Sequence, residues 1–407
     1  MLDKFVAVLA LVALAPSNAG SSFSLQSFGT KTKYWDQRDS SFALALQNAS
    51  TVQASDLELV QLQQVSRHGS RYPTKGNMGE ISDLLDKLQT NYSSAIPDWL
   101  KSYSLPYNSE DAGQLAPAGL KELADYGTSV RASVGSAIPT TYNASLFKLA
   151  HTSVTRTGQS ARSFASAFFS NPEDVEYVEY ADGSDPLLRF FDECGRYSAE
   201  VLDNTSALLE FDEFQTSDKM NESILFLKSQ LNLSSDADMS ATDVTSAFSA
   251  CAFDVMLYNA TNEWCSLVDQ AFLNHLEYSD IYAYMKNFTT GDTTIVGNLR
   301  FAHAETTIPL MTLLGYGDRT KLLASWTDEQ IDSRGFRSSY LGPTASNIDI
   351  RLYRSKIDQK YYVSVWIQEV VAPLPGCDGE LYCELSKVEE IWSNYINDYN
   401  FEAECVV

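Results

Sequence analysis

Three short apolar runs in this chain each lead into a motif that carries a histidine. Residues 57–65 (LELVQLQQV) run into Ser66-Arg67-His68-Gly69, residues 146–150 (LFKLA) into His151-Thr152-Ser153, and residues 295–301 (IVGNLRF) to His303-Ala304-Glu305. Runs of this length suit strands. Helical periodicity at 81–88, 117–134, 156–169 and 306–314 lies between and after them, with Pro117 at a helix entry. Strands interleaved with helices predict an α/β fold. Residues 348–353 and 361–370 alternate and predict an antiparallel hairpin around Asp358. Residues 185–285 read as mostly helical with acidic loops. The expected architecture is a mostly parallel central sheet flanked by helices, with an inserted, mainly α-helical cap. The sheet domain would comprise 20–75, 140–185 and 286–407, and the cap 76–139 and 186–285. A polar, Ser/Gln-rich lead extends to about residue 55.

The first twenty residues read as an export signal. Lys4 precedes an apolar run at 5–14, and Ser17-Asn18-Ala19 offers small residues for cleavage after Ala19. The run is shorter than the roughly 20 residues that a membrane span needs. Eight Asn-x-Ser/Thr triplets start at Asn48, Asn91, Asn143, Asn204, Asn221, Asn232, Asn259 and Asn287, which suggests a glycosylated surface. The six cysteines are an even number and have neither CxxC nor zinc-site spacing, so disulfides are expected.

The sharpest chemical signal is Arg67-His68-Gly69-Ser70-Arg71-Tyr72-Pro73, at the carboxyl end of a predicted strand, where open α/β sheets bind ligands. Two guanidinium groups bracket a histidine and match phosphate oxygens with forked hydrogen bonds. Positive neighbours keep the imidazole neutral and able to attack phosphorus. Gly69 would let the backbone come close to a ligand. Chance would supply the five fixed residues of RHGxRxP in only about one chain in ten thousand of this length. His303 and Glu305 form a second candidate pair, one to bind the phosphoryl group and one to protonate a leaving oxygen. Arg156, at a predicted helix start, would complete a cationic cup. Arg162 reads as solvated, and His151 and His275 as structural.

These motifs resemble the histidine phosphatase superfamily, in its acid phosphatase and phytase branch. Residues 301–352 (FAHAETTIPLMTLLGYGD…FRSSYLGPTASNIDIRL) and Phe190-Phe191-Asp192-Glu193-Cys194 are most similar to the multiple inositol polyphosphate phosphatases. Fungal phytases usually carry His-Asp where this chain has His303-Ala304-Glu305. The resemblance implies that His68 is the nucleophile. Arg67, Arg71, Arg156 and His303 would hold the phosphoryl group, and Glu305 would be proton donor and then base. It implies no metal or other cofactor. Thr74 and Lys75 could touch further phosphates, although a solvated loop suits Lys75 as well. Of fifteen possible pairings, resemblance to the phytases selects Cys194–Cys405, Cys251–Cys265 and Cys377–Cys383. The N-terminal cysteines common in fungal phytases are absent, so their anchoring role must be replaced or missing.

The expected function is a secreted phosphomonoesterase acting on inositol polyphosphates. A broad acid phosphatase and a non-catalytic anion-binding surface protein are the alternatives. The chain carries a net charge of −24 over 407 residues, which argues against nucleic acid or anionic membrane as a partner. Any anionic ligand must therefore meet local positive charge. Carboxylates discharge in acid, so repulsion of a polyanion should weaken there.

Overall fold

The computed structural model describes residues 23–38, 52–181, 183–204, 206, 209–280, 296–317, 320–398 and 400–405. Its sheet has eight strands: β1 (Leu57–Arg67), β2 (Phe147–Thr152), β3 (Tyr177–Tyr180), β4 (Gly297–Ala302), β5 (Asn347–Ser355), β6 (Tyr361–Ile367), β7 (Val370–Ala372) and β8 (Cys383–Glu384). The order is β3-β2-β4-β1-β5-β6-β7, with β8 beside β6. The first four strands in that order are parallel, and the predicted hairpin adds an antiparallel half, so the sheet is mixed. The expected strand at 361–370 is broken. Gln368 and Glu369 both have positive φ (49° and 69°) and make a two-residue turn whose hand suits a hairpin.

The principal helices are α1 (Lys75–Asn91), α2 (Pro117–Val134), α3 (Thr155–Phe168), α4 (Asp218–Gln230), α5 (Ala241–Tyr258), α6 (Gln270–Asp280) and α7 (Ala304–Leu313). Apolar residues of α1, α4, α5 and α6, in the segments expected to form the cap, share one buried cluster. Helix α2 does not join it, contrary to the expected boundary at 139. Leu123, Tyr126, Val130 and Val134 recur along one face of α2 and bury with Phe164 of α3 and Leu149 and Phe301 of the sheet.

Residues 23–38 of the polar lead pack into the fold. Phe28 packs in the cap cluster and Tyr34 in the sheet cluster, both fully buried. The Tyr34 hydroxyl donates to Glu369 Oε1 (2.5 Å) and accepts from Asn347 Nδ2 (2.9 Å). Thr32 offers its carbonyl to the Thr344 N–H (3.0 Å). Buried aromatics and these bonds anchor the lead without a cysteine. The three expected disulfides are present. Among the described residues, no helix is long and apolar enough to cross a membrane.

Asp243 and Asp254 on α5 and Glu277 on α6 are buried acids on the helices of this cluster. Asp254 on α5 is 5 % exposed, and its Oδ2 has no hydrogen-bond partner among the described residues. Burial, with a smaller push from Glu263, raises its carboxyl from 3.8 to about 7. Between those values the folded chain keeps a proton that the unfolded chain has released, so this group favours folding in acid. Its contribution falls as pH rises through about 7. At 1.4 kcal/mol per pH unit the ceiling is about 4 kcal/mol. Asp254→Asn is expected to flatten the decline in stability between pH 4 and 7.5, read from unfolding midpoints. Equal slopes for variant and parent would refute this.

Candidate active site

The parallel strands bring the motifs together. Arg67 of β1 lies in register with Ala302 of β4, so His68 and His303 emerge side by side at the carboxyl edge of the sheet. Their rings are 5.7 Å apart at 72°. Strand β2 ends beside them, and its Thr152 Oγ1 lies 3.0 Å from His303 Nε2. Arg156 enters from the first turn of α3, and Glu305 from the first turn of α7.

His68 is 3 % exposed, and its Nδ1 donates to the Gly69 carbonyl at 2.8 Å. A carbonyl can only accept, so Nδ1 carries the proton and the Nε2 lone pair stays available. Burial drives its pKa well below the usual imidazole range, and Arg156, Arg67, His303 and Arg71 push the same way. His303 is lowered too, by burial and then by Arg156, Arg189, Arg67 and Arg71. Both rings therefore remain neutral into the acid range. Burial also works against the charge of Arg156, which Glu305 partly restores. As a guanidinium it remains charged.

These groups open on a cleft of about 250 Å³ lined by Arg67, His68, Arg71, Arg156, Glu305 and five further residues considered below, together with Ala304. Arg67 donates to the carbonyls of Thr30 and Gly342. Arg71 donates to the Tyr72 carbonyl (2.9 Å) and stands 5.9 Å from the Phe253 ring. The local positive charge that an anion requires is thus present inside an acidic molecule.

Gly69 also makes a close packing contact. A Cβ there would lie 2.4 Å from the Gly119 carbonyl oxygen, and one at Gly119 would lie 2.2 Å from that of Ser70. The two glycines let α2 press against the histidine loop. Gly119→Ala should therefore destabilise the fold by about 1–3 kcal/mol, although Gly→Ala inside a helix ordinarily stabilises. A raised unfolding midpoint would contradict the close approach.

A profile described as Histidine phosphatase superfamily (branch 2) matches residues 58–298. The chain belongs to this family. Human multiple inositol polyphosphate phosphatase 1 is 26 % identical over 424 residues, covering 89 % of this chain and 85 % of that one. The D. castellii phytase superposes with a TM-score of 0.73 at 18 % identity, covering 94 % of this chain and 87 % of its own. A Bifidobacterium longum multiple inositol polyphosphate phosphatase, solved with inositol hexasulfate, superposes at 0.65 with 12 % identity, covering 89 % and 97 %. These two likenesses establish the fold. As a branch 2 member, the chain is a phosphoric monoester hydrolase.

Within this histidine phosphatase, three expected contacts are not on the cleft's lining: Thr74, Lys75 and His303, whose buried ring stands beside that of His68. Thr74 caps α1, accepting from the Asn77 N–H (3.3 Å), and Lys75 is exposed at the helix start. The cleft instead receives Thr30 and Lys31 from the lead, Asn77 from α1, and Phe253 and Met256 from α5. No local motif marks these positions. Arg189, immediately before the FFDEC string, lies close enough to weaken the charge of both Arg156 and His303. It pairs with Asp192 at 2.5 Å.

His151 and His275 lie outside the cleft, as expected. His151 Nδ1 donates to the Thr152 carbonyl (2.8 Å), and His275 bridges Ser223 and Asp328 (3.1 Å each). Glu222, His275 and Asp328 cluster at metal-like spacing, but Lys219 Nζ already sits 2.6 Å from Asp328. Arg162 is exposed, and it stacks over Tyr177 with its guanidinium 4.9 Å from the ring.

Proposed function

We propose that this chain is a secreted phosphatase that removes phosphate from inositol polyphosphates such as phytate through a phosphohistidine. The observation that carries this reading is the neutral, tautomer-fixed His68 facing a cleft walled by Lys31, Arg67, Arg71 and Arg156.

His68 Nε2 attacks phosphorus, and the bond from phosphorus to the ester oxygen breaks as Glu305 gives that oxygen a proton. Water then attacks phosphorus and the phosphorus–nitrogen bond breaks while Glu305 takes a proton from that water, which releases phosphate and restores His68. The guanidinium groups and His303 hold the three phosphoryl oxygens, whose charge would otherwise oppose the attack. Arg156 Nε is buried without a hydrogen-bond partner among the described residues, as suits a group that meets ligand oxygens. Lys31 and Asn77 carry the polar wall past the reacting group, and Phe253 and Met256 supply an apolar surface for the face of a ring. A cleft with that extension favours a compact polyphosphate over a small monoester.

Export is supported by the three disulfides. Asn91, Asn143, Asn221, Asn232 and Asn259 are exposed and Asn204 is half-buried, so they suit glycans. Residues 1–19, Asn48 and Asn287 lie outside the described residues. The sheet and the cap are proposed as its two domains, with α2 on the sheet side.

The test is kcat/KM of the purified protein for phytate and for a small aryl phosphate. Phytate should be the better substrate, with partially dephosphorylated inositol phosphates accumulating in order. Preference for the aryl ester would favour the broad acid phosphatase. Phosphate binding without turnover would leave an anion-binding protein.

A further inference from the structure

Glu122 lies on α2, outside the cleft, and is 2 % exposed. Its carboxylate is filled by donors from two loops. Oε2 accepts from the Ser70 N–H (2.7 Å), while Oε1 accepts from Ser70 Oγ (2.8 Å) and faces Thr344 Oγ1 (3.3 Å). Ser70 stands two residues after His68. Thr344 precedes Ala345, whose N–H donates to the His68 carbonyl (2.9 Å). The Ser70 carbonyl in turn accepts from the Ala116 N–H (2.9 Å) at the entry to α2. One carboxylate thus ties the segment that follows the histidine to the segment that holds its carbonyl.

We propose that Glu122 is a positioning residue, which holds the His68 loop in register for attack on phosphorus. This rests on reading His68 as the nucleophile. Burying a carboxylate is costly unless donors converge on both oxygens, and here they do. Burial opposes its charge, whereas the two Ser70 donors, Lys33 and Thr344 favour it. Charge-assisted bonds of this kind restrict geometry more tightly than neutral ones. The loop needs that restraint, because a displacement of about 1 Å at a reacting atom can cost about 100-fold in rate.

Glu122→Gln has the same size and one acceptor oxygen too few, so its NH₂ either faces the Ser70 N–H or forces the Ser70 and Thr344 hydroxyls to accept where they now donate. In folded protein, kcat for a small aryl phosphate should fall about 10- to 100-fold with KM nearly unchanged. A residue that only adds stability would lower the unfolding midpoint and leave kcat intact far below it. Ser70→Ala removes the hydroxyl but keeps the N–H bond, and should lower kcat about threefold to tenfold. The double variant should be no worse than Glu122→Gln alone, because one network is broken twice. Parental kcat in folded Glu122→Gln, or a loss confined to KM, would overturn the proposal. If Glu122→Gln does not fold, parental kcat in Ser70→Ala overturns it instead. Full activity in His68→Ala would sink the nucleophile reading itself, so the two failures are distinguishable.

Discussion

His68→Ala is expected to lower turnover of any phosphomonoester by about 10⁴-fold or more, since it removes the atom that bonds to phosphorus. Acid-sensitive phosphate should be trapped on the parent protein during turnover and be absent from the variant. The control is His151→Ala. That ring is also buried at a strand end, yet it lies outside the cleft, so the folded variant should retain kcat. Full activity in His68→Ala, or equal losses in both variants, would remove His68 from its role. The depressed pKa of His68 adds a pH signature. Protonation would block attack, and it is pushed to low pH, so the parent's kcat should persist well below the usual imidazole range.

Glu305→Gln should have the second-largest effect, and its size should depend on the leaving group. For an alkoxide such as an inositol oxygen, the loss should be about 10²- to 10⁴-fold, the usual contribution of a general acid. An activated aryl phosphate needs no proton on its leaving oxygen and should suffer much less in the first step. Single-turnover rates of phosphoenzyme formation from both substrates separate this effect from the later hydrolysis. Equal losses on the two would assign the proton to another group. Glu305 suits the part because the first turn of α7 places it in the cleft, across from the charge of Arg156.

Much of the candidate constellation is legible in the sequence because it is local. RHGSRYP and HAE each follow an apolar strand, and parallel pairing in register carries both to the same edge. Arg156 could be read for the same reason, as the first turn of the helix after β2. The residues that were missed come from elsewhere in the chain. Lys31 sits in a segment whose composition suggests only a polar lead. Its place in the cleft depends on Phe28 and Tyr34 burying in two different cores. Phe253 and Met256 read as ordinary helix-core residues, and nothing in a helical period says which side faces a cleft. Proximity to the motif points Thr74 and Lys75 toward the substrate, whereas the helix start consumes Thr74 as a cap and turns Lys75 to solvent.

The sequence by itself determined the chemistry at the sheet edge: a histidine nucleophile candidate, its cationic escort, and a carboxylate on the next strand's helix. Those depend on strand ends and helix starts, which short-range pattern specifies. Only the tertiary structure decided what surrounds them. It turned Gly69 into a packing contact against Gly119, assigned α2 to the sheet, made the lead a wall of the cleft, and brought Glu122 beneath the histidine loop. Each of these joins segments that no single local motif contains. Such contacts follow from how apolar faces pack, and that information is spread over the whole chain.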